Sequence, residues 1–232
     1  MGSSVLYRWP SAAEFGRTVP KTKFYEHATV SSALRERFVA DVQRVTWAYK
    51  LADSTVHLRG STSVPEIQVF VIDAKGDDVS DGVLAAIDKA VRFPIIFEVN
   101  RGAEDAMSTR MVAAHKQIGQ QRQSVSEYFT TEWVVADAPR APLPAALDLP
   151  TLYTALLTPI LPVPARPGEP LTDAVDRMGR ARKLEREVAS LEKRLRNEPQ
   201  FNRKVELRRE LRSSRAELDG LNAPAQPRNQ ES

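Results

Sequence analysis

Nine of the chain's 16 prolines fall between residues 139 and 170, and no long helix or central strand can run through them, because proline lacks the backbone donor that both require. The cluster divides the 232 residues into two unlike parts. Before it, apolar runs recur at helix and strand spacings. After about residue 165 apolar residues thin out. The net charge of the whole chain is only +3, yet most of the excess of Lys and Arg lies between residues 177 and 215. We therefore expect an α/β body over residues 1–158, a Pro-rich linker over 159–170, a basic helical hairpin over 171–222 and a disordered tail over 223–232.

Within the body, Gly and Pro punctuate residues 1–30, while Trp9, Phe15, Phe24 and Tyr25 are numerous enough to anchor that stretch as an ordered loop. From residue 32, the positions Leu34, Phe38, Val42, Val45 and Tyr49 recur at four, four, three and four, which predicts one amphipathic helix capped by Ser31 or Ser32. Residues 55–58 read as a short strand. Residues 66–75 form a β-branched, nearly continuous apolar run, the pattern of a central strand, closed by the turn Gly76-Asp77-Asp78. A helix over 83–91, with Val83, Leu84, Ile87 and Val91 on one side, leads past Pro94 to a strand over 95–99, which completes a β-α-β unit. Further strands are expected at 111–116 and 128–135, separated by a polar loop over 119–126, and a short helix at 152–161. The expected fold is a mixed sheet of about four or five strands with flanking helices, of the α/β (α+β) class.

Beyond the prolines, Leu184, Val188, Leu191 and Leu195 repeat at four, three and four, the seam of a coiled coil. Asn197-Glu198-Pro199-Gln200 interrupts it, and Leu207, Leu211, Ser214, Leu218 and Leu221 then mark a second helix. Two helices of similar length around a Pro-containing turn predict an antiparallel pair; a longer coiled coil joining two copies as a homodimer is the alternative.

The chain has no cysteine, which excludes disulfides, thiolate nucleophiles and cysteine-held zinc and suits a reducing cytosol. No apolar run approaches the roughly 18 residues of a membrane span, and the first six residues lack the features of a signal peptide. A cytoplasmic protein without membrane contact is expected. There is no Gly-rich phosphate loop, Gly-x-Ser-x-Gly or dinucleotide fingerprint. His27, His57 and His115 are scattered and read as structural or surface residues, so no metal and no cofactor is expected.

Three groups of residues carry chemistry. Asp73-Ala74-Lys75 matches the last element of nucleases that place Asp or Glu, a spacer and Lys on a strand beside a further carboxylate, to bind magnesium and activate water. Period two puts Asp73 and Lys75 on one face. Of the candidates for the missing acid, Glu66 falls on the opposite face and Asp53 on a loop. Secondly, Lys21, Lys23, Phe24, Tyr25 and His27 alternate basic and aromatic groups, suited either to clamping phosphate and stacking a base or to pinning the segment onto the core. Thirdly, the hairpin turn gathers Arg194, Arg196, Arg203 and Lys204 as candidate phosphate contacts. Interspersed acids such as Glu192 and Glu206 must pair some of the hairpin's arginines.

The blocks Glu14-Phe15-Gly16-Arg17, Pro20-Lys21-Thr22-Lys23-Phe24-Tyr25, Thr46-Trp47-Ala48-Tyr49-Lys50-Leu51, Glu66-Ile67-Gln68-Val69-Phe70, Ala86-Ile87-Asp88-Lys89 and Phe201-Asn202-Arg203-Lys204-Val205-Glu206-Leu207 span nearly the whole chain. On them the sequence resembles the bacterial family described as domain of unknown function 4391. The resemblance implies a setting beside DNA methyltransferases and helicases, in gene clusters like restriction or anti-phage islands. It carries over no catalytic residues. It also implies an acidic residue near position 71, where this chain has Val71. The expectation is a non-enzymatic accessory or adaptor subunit of a DNA-modification or anti-phage assembly, with a methyltransferase- or helicase-type protein partner and nucleic acid as a second ligand. The alternative is a metal-dependent nuclease with a degenerate Asp-x-Lys motif.

Overall fold

The computed structural model describes residues 4–26, 31–103, 106–118 and 123–223. His27, residues 119–122 of the expected polar loop and residues 224–232 of the expected tail lie outside them. The chain divides into two units, Met1–Pro162 and Val163–Ser232.

The first unit is built on one mixed sheet. Its strands are β1 (Glu14–Thr18), β2 (Val42–Leu51), β3 (Ile67–Ala74), β4 (Ile95–Arg101), β5 (Ser108–Ile118), β6 (Gln123–Thr130) and β7 (Val134–Val135). The order is β1-β2-β3-β4-β5-β6, with β7 pairing β5. Among the described residues this makes seven strands, more than the four or five expected. The helices are α1 (Lys21–Glu26), α2 (Ser32–Asp41), α3 (Asp53–Val56), α4 (Asp81–Ala90) and α5 (Leu149–Leu157). Among the strands of the described residues only β3 and β4 pair in parallel, and α4 is the crossover between them, as the β-α-β pattern predicts.

The extra strands come largely from the first 51 residues. Residues 14–18 and 21–26, expected as loop, form β1 and α1. The long helix from residue 32 stops at Asp41, and residues 42–51 form β2 instead. The cause is a pair of bulges, between Val42 and Arg44 and between Trp47 and Tyr49. The first lets Val42 and Val45, three apart, face the same cluster, and with Ala48 and Leu51 also buried, Leu51 on the other face, the buried positions of β2 recur every third residue and imitate a helical stripe. Ser31 caps the shortened helix, its hydroxyl accepting from Leu34 N at 3.3 Å. Residues 53–56, which overlap the strand expected over 55–58, form α3, which closes at His57 with φ of 55°.

One face of the sheet packs on α2 and α4, with Phe38, Val45, Phe70, Ile72, Val83, Ile87 and Phe97 in a common cluster. The opposite face carries the buried Glu98, whose carboxylate accepts from Trp9 Nε1 at 2.7 Å and from both terminal nitrogens of Arg140 at 2.7 and 3.1 Å. Burial works to lower the Arg140 pKa, but the hydrogen bonds and charge of Glu98 outweigh it and raise the value. Segments near Trp9 and Arg140 are thereby fastened across the central strand.

The second unit contains α6 (Leu171–Asn197) and α7 (Phe201–Asn222). Leu191, Leu207 and Leu211 are buried together, with Val188 and Leu195 against them. The helix pair therefore closes within one chain. Residues 163–170 belong to this unit. Glu169 accepts from Arg177 at 2.8 and 2.9 Å and from Arg166 N at 2.8 Å. The Arg166 guanidinium in turn donates to the carbonyls of Gly220, Leu221 and Ala223 at the end of α7. No helix among the described residues is long and apolar enough to cross a membrane.

Candidate functional site

Parallel strands joined by a helix open a crevice beyond their carboxyl ends, the usual place for a ligand in α/β sheets. Here the ends of β3 and β4 present Asp73 and Asn100, aligned in the ladder. They line a pocket of about 700 Å³ with Gln43, Arg44, Gly102 and Met107. Gly102 has φ of +92°, and a Cβ there would meet Ala106 O at 2.7 Å, so this turn requires glycine. Asp73 accepts from Arg44 Nε at 2.7 Å and from Asn100 Nδ2 at 3.0 Å; Asn100 Oδ1 accepts from the buried Thr109 at 2.8 Å. The result is a polar chain running across four adjacent strands. Sequence reasoning misses Arg44, Asn100 and Thr109. The apolar spacing puts Arg44 on a helix, and the signal that identifies it is the β-branched and aromatic composition of residues 42–49.

The residues of the nuclease reading are drawn apart. Lys75 Nζ donates to Val39 O at 2.7 Å and its backbone N to Asp41 O at 2.9 Å, which satisfies carbonyls left open at the end of α2. Glu66 lies at the other end of β3, accepting from Gln68 at 2.5 Å and ion-paired to Lys50 at 3.0 Å. Seven residues of strand at roughly 3.3 Å each put it about 23 Å from Asp73. Asp53 begins α3, and the carboxylate of Asp41, whose carbonyl takes the Lys75 N–H, accepts from Ser80 N at 3.1 Å. Among the described residues no three His, Asp or Glu side chains are grouped to hold a metal.

A second concavity, of about 500 Å³, is lined by Arg37, Asp41, Asp78, Ser80, Arg110 and Tyr128 among others. Arg110 is ion-paired to Asp78 at 2.6 Å, and Arg101 and Arg110 lie 4.0 and 5.0 Å from the ring centroid of Trp133. Ser80 Oγ and Arg110 Nε are buried there without partners. With acids and arginines interleaved, the walls select no single ligand charge.

In the N-terminal basic-aromatic group, Lys21 Nζ donates to Val42 O, a third bond at the end of α2. Burial, and then the charge of Lys75, lower its pKa. Phe24 is in the core and Tyr25 meets Phe38 edge-on at 5.2 Å, so the aromatics pin the segment. Lys23 is exposed on α1.

The four turn residues of the hairpin do not form one patch. At about 100° per residue, Arg194 and Arg203 fall on one flank of the helix pair and Arg196 on the other. Lys204 sits at the seam, half-buried. The flanks are fixed by two contacts: Arg215 to Glu192 at 2.6 Å on one side, Ser214 to Glu187 at 3.2 Å on the other. Arg203 is also held by Glu206 at 2.6 Å.

Most deeply buried of the charged groups among the described residues is the pair Lys116 and Asp88, 2.6 Å apart with side chains 0% and 2% exposed. Lys116 Nζ also donates to the carbonyls of Asp88, Val91 and Phe93, closing the end of α4. Asp88 Oδ2 accepts from the Tyr128 hydroxyl at 2.7 Å. Burial pushes the Asp88 carboxyl up and the Lys116 ammonium down, and each charge opposes the other's shift. With no access to solvent, this pair serves the fold.

The family model described as Domain of unknown function (DUF4391) matches residues 8–218. No curated protein and no solved structure matches the chain.

Proposed function

We propose, for a chain that belongs to the DUF4391 family, a non-enzymatic accessory role: the body docks on a protein partner, and the hairpin reaches nucleic acid or a second subunit. The observation that carries this reading is the second unit, a helix pair with its own seam and a surface of mostly exposed arginines, lysines and glutamates. Such an arm costs ordered residues and has no evident use in a self-sufficient enzyme. The bonds of Asp73 and Lys75 agree with it, since both side chains complete the framework around α2, β3 and β4. The setting, a bacterial DNA-modification or anti-phage assembly with a methyltransferase- or helicase-type partner, is the one the family resemblance implies.

The test is co-expression of the full chain with the methyltransferase or helicase encoded beside it, followed by size-exclusion chromatography with light scattering. A complex of defined stoichiometry is expected. Elution of the chain apart from every such neighbour would overturn the adaptor reading.

A further inference from the structure

The two flanks of the hairpin differ in charge. The flank marked by Arg203 and Arg194 mixes its cations with Glu187, Glu206, Glu210 and Glu217. On the flank marked by Arg215, α7 presents Arg208 and Arg212 and α6 presents Arg196, all exposed, and the exposed Arg209, Arg186 and Lys193 lie beside it on the outward faces of the two helices. The acids on this side are few: Glu185, Asp219 and Glu192, the last already held by Arg215. The same flank carries Phe201, 73% exposed, and Val205, 49% exposed, one turn apart at the start of α7.

We infer that this flank is a binding surface for single-stranded nucleic acid, with Arg208, Arg209 and Arg212 on phosphates and Phe201 stacked on an unpaired base. A protein helix docking here would need an apolar stripe continuing from Phe201 and Val205 at helical spacing, and the positions that would continue it are arginines. A guanidinium offers five donors suited to phosphate, and an exposed ring beside cations suits a base of any identity. From Phe201 to Arg212 the helix rises about 17 Å, roughly the length of four or five stacked nucleotides at about 3.4 Å each. The inference rests on the reading of the hairpin as the contacting arm, but it requires no protein partner.

The experiment measures fluorescence anisotropy of a labelled 20-nucleotide single strand, and of its duplex, with the full chain between 50 and 200 mM salt. Arg208→Ala with Arg212→Ala should lower the slope of log affinity against log salt by about 1.4 on the single strand, about 0.7 for each phosphate no longer neutralised. Phe201→Ala should weaken single-strand binding by roughly tenfold at unchanged slope and affect the duplex little. Arg194→Ala with Arg203→Ala, on the mixed flank, should change neither quantity. Helix content checked by circular dichroism should be retained in all three, and a Gln pair at 208 and 212 replaces the Ala pair if it is not. Absence of binding at 50 mM salt, equal losses from both flanks, or displacement of the strand by polyglutamate as readily as by oligonucleotide would each overturn the assignment. A chain that binds the strand but no protein neighbour would refute the adaptor reading alone.

Discussion

Replacing Lys116 by Met leaves the aliphatic stem in place and removes the charge on which the end of α4 depends. Four oxygens share the three protons of that ammonium: Asp88 Oδ1 and the carbonyls of Asp88, Val91 and Phe93. In Lys116→Met the carboxylate keeps only the Tyr128 hydroxyl as partner, and breaking a fully buried pair in this way costs about 3–5 kcal/mol. Changing both partners, Lys116→Met with Asp88→Leu, should recover most of that loss, because no buried charge remains. The sign with pH follows from Asp88. Its pKa already lies above the unfolded value and rises further without Lys116, so folding of the variant takes up a proton, and its stability falls as pH rises through that window. Urea unfolding followed by tryptophan fluorescence reports the right unit, since Trp9, Trp47 and Trp133 all lie in the first. A loss under 1 kcal/mol in the single variant, or a double variant no more stable than it, would refute the reasoning.

Two further variants probe the fold. Tyr153→Phe removes a hydroxyl that donates to Ala114 O at 2.8 Å and accepts from Lys116 N at 3.0 Å, where β5 bulges against β6; urea unfolding should show a loss of about 1–3 kcal/mol. In the second unit, hydrogen bonds from Arg177 hold the Glu169 carboxyl at about 2, below its ordinary 4.5. The stability it contributes, on the order of 1–2 kcal/mol after screening, is present above pH 4.5 and is lost as pH falls toward 2. Hydrogen exchange in the last turn of α7 should follow that decline, and Glu169→Gln should flatten it.

Apolar periodicity makes the β3-α4-β4 unit and the hairpin seam legible, because in both the inward residues recur at the period of their own element. It fails at β2, where two bulges break the alternation and buried positions of both faces recur every third residue; Val42, Val45, Thr46, Trp47 and Tyr49, β-branched or aromatic, are the contrary signal. In the candidate site, Asp73 and Lys75 are visible, but their partners come from residues 27–36 positions away and no local pattern links them. Lys116 looks like an ordinary strand residue. The clue is its run with Met111, Val112, Ala113 and Ala114, matched by Asp88 on the apolar side of α4.

Whether Asp73 and Lys75 serve the framework or a reaction can be decided by assaying the full chain, Asp73→Asn and Lys75→Met on single- and double-stranded DNA and RNA with magnesium or manganese. No metal-dependent cleavage is expected from any of the three proteins, together with lower unfolding midpoints for both variants. Cleavage by the native chain that disappears in both variants while their midpoints stay unchanged would contradict the framework role.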